Sequence, residues 1–374
     1  MMTPAPKSIL IVNIRLIGDV ILTTPLIGLL HEAYPDAAID LLVDRGTGEY
    51  LERDPRVRKV LYREKGKRGG GYLGTIFRRY DLAINLNASD RGNLAVLLAG
   101  KRMRVGFYDG NAPGKDFWKK LLLERALLLP TETHTARTCA LIAETLGIAA
   151  SRLEVKVCWS AEDEAKVLQL LGERGISGRF FVVHPFARWI YKYWRSERFA
   201  ELSDAVHERY GLTPVWSCSP SPAEKEELVR LAALCKTKPM LVEGELNLSQ
   251  LTFLLSRASL YLGLDTAISH LAASVGVPMV ALYGPTFTKR WFPWDNRGGI
   301  DQRWGTPAEP GSGHCIVMQK DMPCVPCGLA GCDDTGQKES PCLIAVTVDE
   351  VLEAVRLLEP LFADGAAPNI SPEE

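Results

Sequence analysis

Residues 8–14 (Ser8-Ile9-Leu10-Ile11-Val12-Asn13-Ile14) are apolar almost without interruption. An antiparallel strand with one wet face would alternate, so this run predicts a parallel strand buried on both faces. A loop, Arg15-Leu16-Ile17-Gly18-Asp19, follows, then helical periodicity over 20–34, in which Pro25 has to sit near a first turn or kink the helix. The next strand is predicted at 39–43, which completes a β-α-β unit. Further strands are predicted at 57–62, 82–86 and 103–107, and a helix at 135–146 that Gly147 ends. After a connection at 148–160 the pattern restarts. Helices are predicted at 162–174, 196–210, 223–234, 248–256 (opened by an Asn247/Gln250 capping box) and 266–275, and strands at 180–184, 214–217, 260–263 and 278–283. Two successive runs of alternating strands and helices predict two doubly wound α/β domains, residues 1–160 and 161–346. A closing helix at 347–363 and a polar, proline-bearing tail at 364–374 follow.

Composition narrows the class. The chain has 374 residues, 47% hydrophobic and 24% charged, which suits two globular domains and excludes disordered or collagen-like chains. No apolar run approaches the roughly 18–20 residues that span a bilayer, and the first residues lead straight into a strand without the layout of a signal peptide. These features predict a soluble, cytoplasmic protein. The net charge of −1 hides an asymmetry: residues 1–160 hold 24 Lys/Arg against 17 Asp/Glu, and the remainder holds the other 20 against 28. That surplus predicts an anionic partner for the first half. Nucleic acid is not the partner expected, because aromatic stacking platforms are not interleaved with those cations.

Three stretches at predicted strand ends carry candidate chemistry. Asp265-Thr266-Ala267-Ile268-Ser269-His270 opens a helix where open α/β sheets bind ligands, and its first-turn N–H groups form an anion site. Asp265 reads as the N-cap, Thr266 adds a hydroxyl, and His270 lies on the same face; an ordinary capped helix would read the same way. The loop from His184 to Trp194 offers Arg188 and Lys192 among aromatics, either as a diphosphate site or as a solvated basic loop. Asp19 at the end of the first strand reads as a general base or as a simple cap. A phosphate loop of the G-x-x-x-x-G-K-[ST] type, a G-x-G-x-x-G turn directly after a predicted strand and a D-x-D pair are all missing from the sequence.

Taken together, Arg15-Leu16-Ile17-Gly18-Asp19 with Thr24-Pro25, the His184-to-Trp194 loop, and Asp265 to Ala273 followed by Gly276-Val277-Pro278 and Leu282-Tyr283-Gly284-Pro285-Thr286 resemble the bacterial ADP-heptose:lipopolysaccharide heptosyltransferases, glycosyltransferase family 9. The resemblance runs from about Ile9 to Leu358. It implies a GT-B architecture: two Rossmann-like domains facing across a cleft, with the acceptor on the first, ADP-heptose on the second, and a final helix crossing back to the first. It implies an inverting transfer without a metal or other cofactor, in keeping with the missing D-x-D pair. By the same resemblance Asp19 is the base and Lys192, helped by Arg188, neutralises the leaving diphosphate. Thr266 and the amides beside Ala267 and Ile268 hold a phosphate, Asp265 and His270 shape the site, Leu248 packs on the adenine and Glu224 meets the ribose. Ala267 stands where the family commonly has glycine. Arg15, Lys65, Lys67, Arg68, Arg91 and Arg104, with Lys101 and Arg102 nearby, are then candidates to meet an anionic, lipid-linked lipopolysaccharide core acceptor, with peripheral contact at the cytoplasmic face of the inner membrane. A GT-B transferase using another nucleotide sugar, such as a UDP-sugar, and a non-catalytic nucleotide-binding relative are the alternatives.

Five of the nine cysteines fall between Cys315 and Cys342. The spacing of Cys324, Cys327, Cys332 and Cys342 suits a structural zinc site, with disulfides or free thiols as the other outcomes. The arrangement looks most like the heptosyltransferase III subgroup.

Overall fold

The computed structural model describes residues 4–64, 71–110, 113–150, 152–296 and 313–362. It divides into a unit ending at Cys158 and a unit beginning at Trp159, two residues before the boundary expected.

The first unit runs β1 (Ser8–Asn13), α1 (Ile17–Ile21), α2 (Thr24–Ala33), β2 (Ala38–Asp44), β3 (Val57–Arg63), α3 (Gly71–Ile76), β4 (Tyr80–Asn85), α4 (Asp90–Ala99), β5 (Gly100–Tyr108), α5 (Pro113–Leu122), β6 (Arg125–Leu128) and α6 (Arg137–Thr145). Its strands form one sheet in the order β3-β2-β1-β4-β5-β6, every neighbouring pair parallel. β1 lies between two neighbours and Ile9 to Val12 are fully buried, which is why that segment is apolar rather than alternating.

The second unit runs α7 (Ala161–Glu173), β7 (Phe180–His184), α8 (Ser196–Tyr210), β8 (Thr213–Ser217), α9 (Pro222–Ala232), β9 (Met240–Val242), α10 (Leu248–Arg257), β10 (Leu260–Leu264), α11 (Ala267–Ser274), β11 (Met279–Leu282), α12 (Thr288–Trp291), β12 (Cys315–Met318), α13 (Pro341–Ile344) and α14 (Val348–Phe362). The order β12-β11-β10-β7-β8-β9 is again all parallel, and renumbered from β7 it is the arrangement of the first sheet. In each sheet the strand order reverses beside the first strand, between β1 and β4 and between β7 and β10. Open α/β sheets wound this way bind ligands in the crevice beyond the carboxyl ends of those strands.

Several expectations are corrected. The helix expected over 20–34 is two helices. The Thr23 and Thr24 hydroxyls donate to the Val20 and Ile21 carbonyls at 2.6 and 2.8 Å, and Pro25, lacking an N–H, sits in the first turn of α2. Thr266, not Asp265, is the N-cap of α11. Within its own unit the closing helix contributes Val348, Val351, Ala354, Val355, Leu358 and Phe362 to the core of the second sheet, against α8 and β11. The 364–374 tail lies outside the described residues.

His184, the last residue of β7, is buried with Nδ1 3.0 Å from Ser217 Oγ, and burial pushes its pKa down to about 4. An unfolded histidine titrates near 6.5, so the unfolded chain takes up the proton first. The stability that neutral His184 contributes is complete above about pH 6.5 and is lost as pH falls toward 4. Between pH 7 and 5 the wild type should lose roughly 2 kcal/mol more than His184→Asn in urea unfolding of the second unit. Equal losses would refute this account.

Candidate active site

In the first unit the crevice is lined by the segment after β1 and the loop after β4. Asp19 lies in the first turn of α1, 15% exposed, with Arg15 Nε 3.5 Å from its Oδ1; Arg15 itself is half exposed. Asn13, the last residue of β1, donates from Nδ2 to the Asp19 carbonyl at 3.1 Å and accepts from Asn87 Nδ2 at 3.3 Å. The β1 and β4 ends are thus tied together beneath the carboxylate. Asp19 is held through its backbone carbonyl, with its carboxylate turned toward a neighbouring guanidinium.

The basic residues expected to meet an acceptor separate into three groups. Arg91 is exposed in the first turn of α4, beside the same loop. Arg104 sits in the middle of β5 and forks onto Glu124, Nε to Oε2 at 2.8 Å, so its charge is neutralised away from the strand ends. Arg102 likewise faces Asp81 at 3.7 Å. Lys65, Lys67 and Arg68 lie outside the described residues.

In the second unit the loops after β7 and β10 meet. Lys192 Nζ lies 2.5 Å from Asp265 Oδ2, with side chains 20% and 7% exposed. Thr286, from the loop after β11, donates its hydroxyl to that same Oδ2 at 2.5 Å. Three loops are therefore fastened at one carboxylate oxygen, immediately before the N-terminus of α11. Asp265, freed from capping, positions Lys192 instead. Removing one member of such a largely buried pair strands the other, a cost of about 3 kcal/mol or more. The hydroxyl of the N-cap Thr266 does not cap the helix, and Ala267 is partly exposed at the first helical position. His270, one turn further, is buried. The site presents a compensated lysine, the first-turn amides of α11 and the exposed Arg188, whose guanidinium stands 5.1 Å from the Trp189 ring, a combination suited to a phosphate-bearing anion.

The remaining predicted residues lie along the same edge. Glu224, in the first turn of α9, accepts from the Ser219 N–H at 2.8 Å. Leu248, half-buried, is the first residue of α10 after the Asn247/Gln250 capping box. Thr286, part of a quoted motif but given no task by it, is the member of the site that sequence reasoning missed.

The cysteine-bearing segment has a mechanical relation to this site. Gly328, at φ +70°, donates its N–H to the Pro285 carbonyl at 2.8 Å. At Gly331, φ +83°, a β-carbon would come within 3.3 Å of Tyr191 Cβ, next to Lys192. The segment is thus seated against both the Lys192 loop and the Thr286 loop. The zinc expectation is not supported: Cys324 and Cys332 are exposed, Cys342 is buried, and no group of three or more His, Cys, Asp or Glu side chains among the described residues is placed to hold a metal ion. Burial first, and then the neighbouring Cys332, Cys324 and Cys327, push the Cys342 thiol above its ordinary pKa.

Known proteins share this chain's sequence pattern and fold. Residues 75–312 match glycosyltransferase family 9 (heptosyltransferase). Lipopolysaccharide heptosyltransferase 3 of Escherichia coli (strain K12) is 30% identical over 298 residues, covering 77% of this chain and 85% of the relative. Among solved structures, the family 9 glycosyl transferase of Veillonella parvula DSM 2008 superposes with a TM-score of 0.74 at 22% identity, covering 94% of this chain and 97% of that one. The E. coli ADP-heptose lps heptosyltransferase II superposes with a TM-score of 0.71 at 23% identity, covering 96% and 100%. Two Rossmann-like sheets of one topology, loops that converge at their switch points and a match across most of the sequence lead to one assignment: the chain belongs to glycosyltransferase family 9, the heptosyltransferases.

Proposed function

We propose that this protein transfers heptose from ADP-heptose to the inner core of lipopolysaccharide, with inversion at the anomeric carbon and without a metal ion. The observation that carries the reading is the Lys192–Asp265–Thr286 junction at the N-terminus of α11, a fixed cationic site at the switch point of the second sheet. Membership of the family, and the donor named for the E. coli heptosyltransferase II, support the choice of nucleotide sugar.

In this reading the Asp19 carboxylate takes the proton of the acceptor hydroxyl, whose oxygen forms a bond to the anomeric carbon. The bond from that carbon to the diphosphate oxygen breaks, and its electron pair leaves with ADP. The diphosphate gains negative charge as this happens. Lys192, Arg188, Thr266 and the α11 amides beside Ala267 and Ile268 receive that charge, and donors fixed in advance for a growing charge typically contribute several kcal/mol. These groups do the work for which a D-x-D enzyme uses a divalent ion. Glu224 meets the ribose hydroxyls, Leu248 packs on the adenine, and His270 supports the turn from below. Arg15, half exposed beside Asp19, pairs with an acceptor phosphate or carboxylate. Arg91 adds to that anion site. The acceptor is lipid-linked, so the enzyme works in peripheral contact with the cytoplasmic face of the inner membrane. Among the described residues no helix is long and apolar enough to cross a membrane.

Two measurements test this. Asp19→Asn should lower turnover at least about a hundredfold while calorimetric ADP affinity changes less than about twofold; full activity in that variant would remove Asp19 from the base role. ADP should bind with EDTA present and in preference to UDP and GDP, and Lys192→Ala should weaken that binding roughly tenfold. Binding lost to EDTA would overturn the metal-independent reading, and preference for UDP would reassign the donor.

A further inference from the structure

Helix α5 (Pro113–Leu122) is built inside out. Its inward face is polar. Asp116, 2% exposed, accepts from the Gly110 N–H at 2.9 Å and pairs with Lys119 Nζ at 2.9 Å. Lys119, 4% exposed, also donates to the Ala88 carbonyl at 2.8 Å and reaches Asp90 at 2.9 Å. Its outward face is apolar: Phe117 is 66% exposed, Leu121 68% and Leu122 46%, with Trp118 partly exposed beside them. Soluble helices turn such residues to the core, and side chains three to four positions apart share a face, so Phe117 and Leu121 form one solvent-facing strip opposite Asp116 and Lys119. Exposed Lys115 and Lys120 flank the strip, while the helix's one carboxylate points inward.

We propose that the outward face of α5 docks on an anionic lipid bilayer surface. Aromatic and leucine side chains bordered by lysines, on a helix of low overall apolarity, are the chemistry of an interfacial helix lying in the plane of the headgroups. The cations match anionic headgroups, and the surplus of positive charge in residues 1–160 extends that match. The docking element is wired to the candidate site. Lys119 bonds Ala88 and Asp90 in the loop after β4, and Asn87 of that loop bonds Asn13, which holds the Asp19 carbonyl. A bilayer seated on α5 is thus connected, through Lys119 and the loop after β4, to the residues proposed to receive the acceptor. The link to a lipid-borne acceptor rests on the function proposed above; the docking itself does not.

The test is flotation of the full chain with phosphatidylcholine vesicles, with and without phosphatidylglycerol, in the absence of any acceptor. The wild type should float with the anionic vesicles, less well at high salt. Phe117→Ser/Leu121→Ser should reduce the partition coefficient roughly tenfold or more, and Lys115→Gln/Lys120→Gln about tenfold on anionic vesicles alone. All four side chains are exposed, so thermal unfolding and ADP binding should match the wild type. A wild type that stays unbound, or variants that float equally well, would overturn the docking face. So would a wild-type dimer that Phe117→Ser/Leu121→Ser renders monomeric, since a second copy would then cover the strip. A wild type that binds ADP but no vesicles sinks this inference alone; a wild type that binds anionic vesicles but no ADP sinks the transferase reading and leaves the docking helix standing.

Discussion

A parallel strand buried on both faces has only its two ends at which to carry chemistry, and this constraint orders the whole molecule. In both units the central strands are lined with Ile, Leu, Val and Phe, and polar residues of consequence appear where the strands stop: Asn13 and Asp19 after β1, Asn87 after β4, His184 and Lys192 at and after β7, Asp265 and Thr266 after β10. Within each unit the reversal of strand order, beside β1 in one and β7 in the other, brings that unit's own end-of-strand residues together. The site is therefore a property of the sheet's winding as much as of any one residue.

Within that frame a single carboxylate organises the second unit. Asp265 Oδ2 gathers Lys192 from one loop and Thr286 from another, and its own position is fixed by the start of α11. A lysine left alone in that setting would sample several rotamers. Paired, its cost of ordering is met before any ligand arrives, which is the essence of preorganisation. The pairing also offsets one positive charge, so the diphosphate of the proposed donor would draw on the backbone amides and Arg188 as well.

Much of this was legible in the sequence, and what was hidden was hidden for physical reasons. The central strands announced themselves as apolar runs, and the residues of both crevices stood in motifs at their ends. Three strands without a clear signal, β6, β9 and β12, lie at sheet edges and span three or four residues, too short for periodicity to show. Helix α5 was concealed because its buried face is Asp116 and Lys119 rather than leucines. Lys192 and Asp265 could each be picked out, but not their contact, because 73 positions of chain separate them. The pairing of Arg104 with Glu124 was unreadable for the same reason: charge is visible in a sequence, whereas neutralisation is a fact of three dimensions.

The glycines of the cysteine-bearing segment place a different kind of demand on the chain. At Gly328 and Gly331 the backbone lies in the left-handed region while packed on Phe287 and Tyr191, so any side chain there would push on the two loops that Asp265 joins. Two of the cysteines between and around them are open to solvent, where a serine would fit equally well. The segment behaves as a shim whose thickness sets the register of Lys192. Drift in its composition is tolerable where drift in its thickness is not, since an insertion there would press on the Lys192 and Thr286 loops without altering a residue of the junction they make with Asp265.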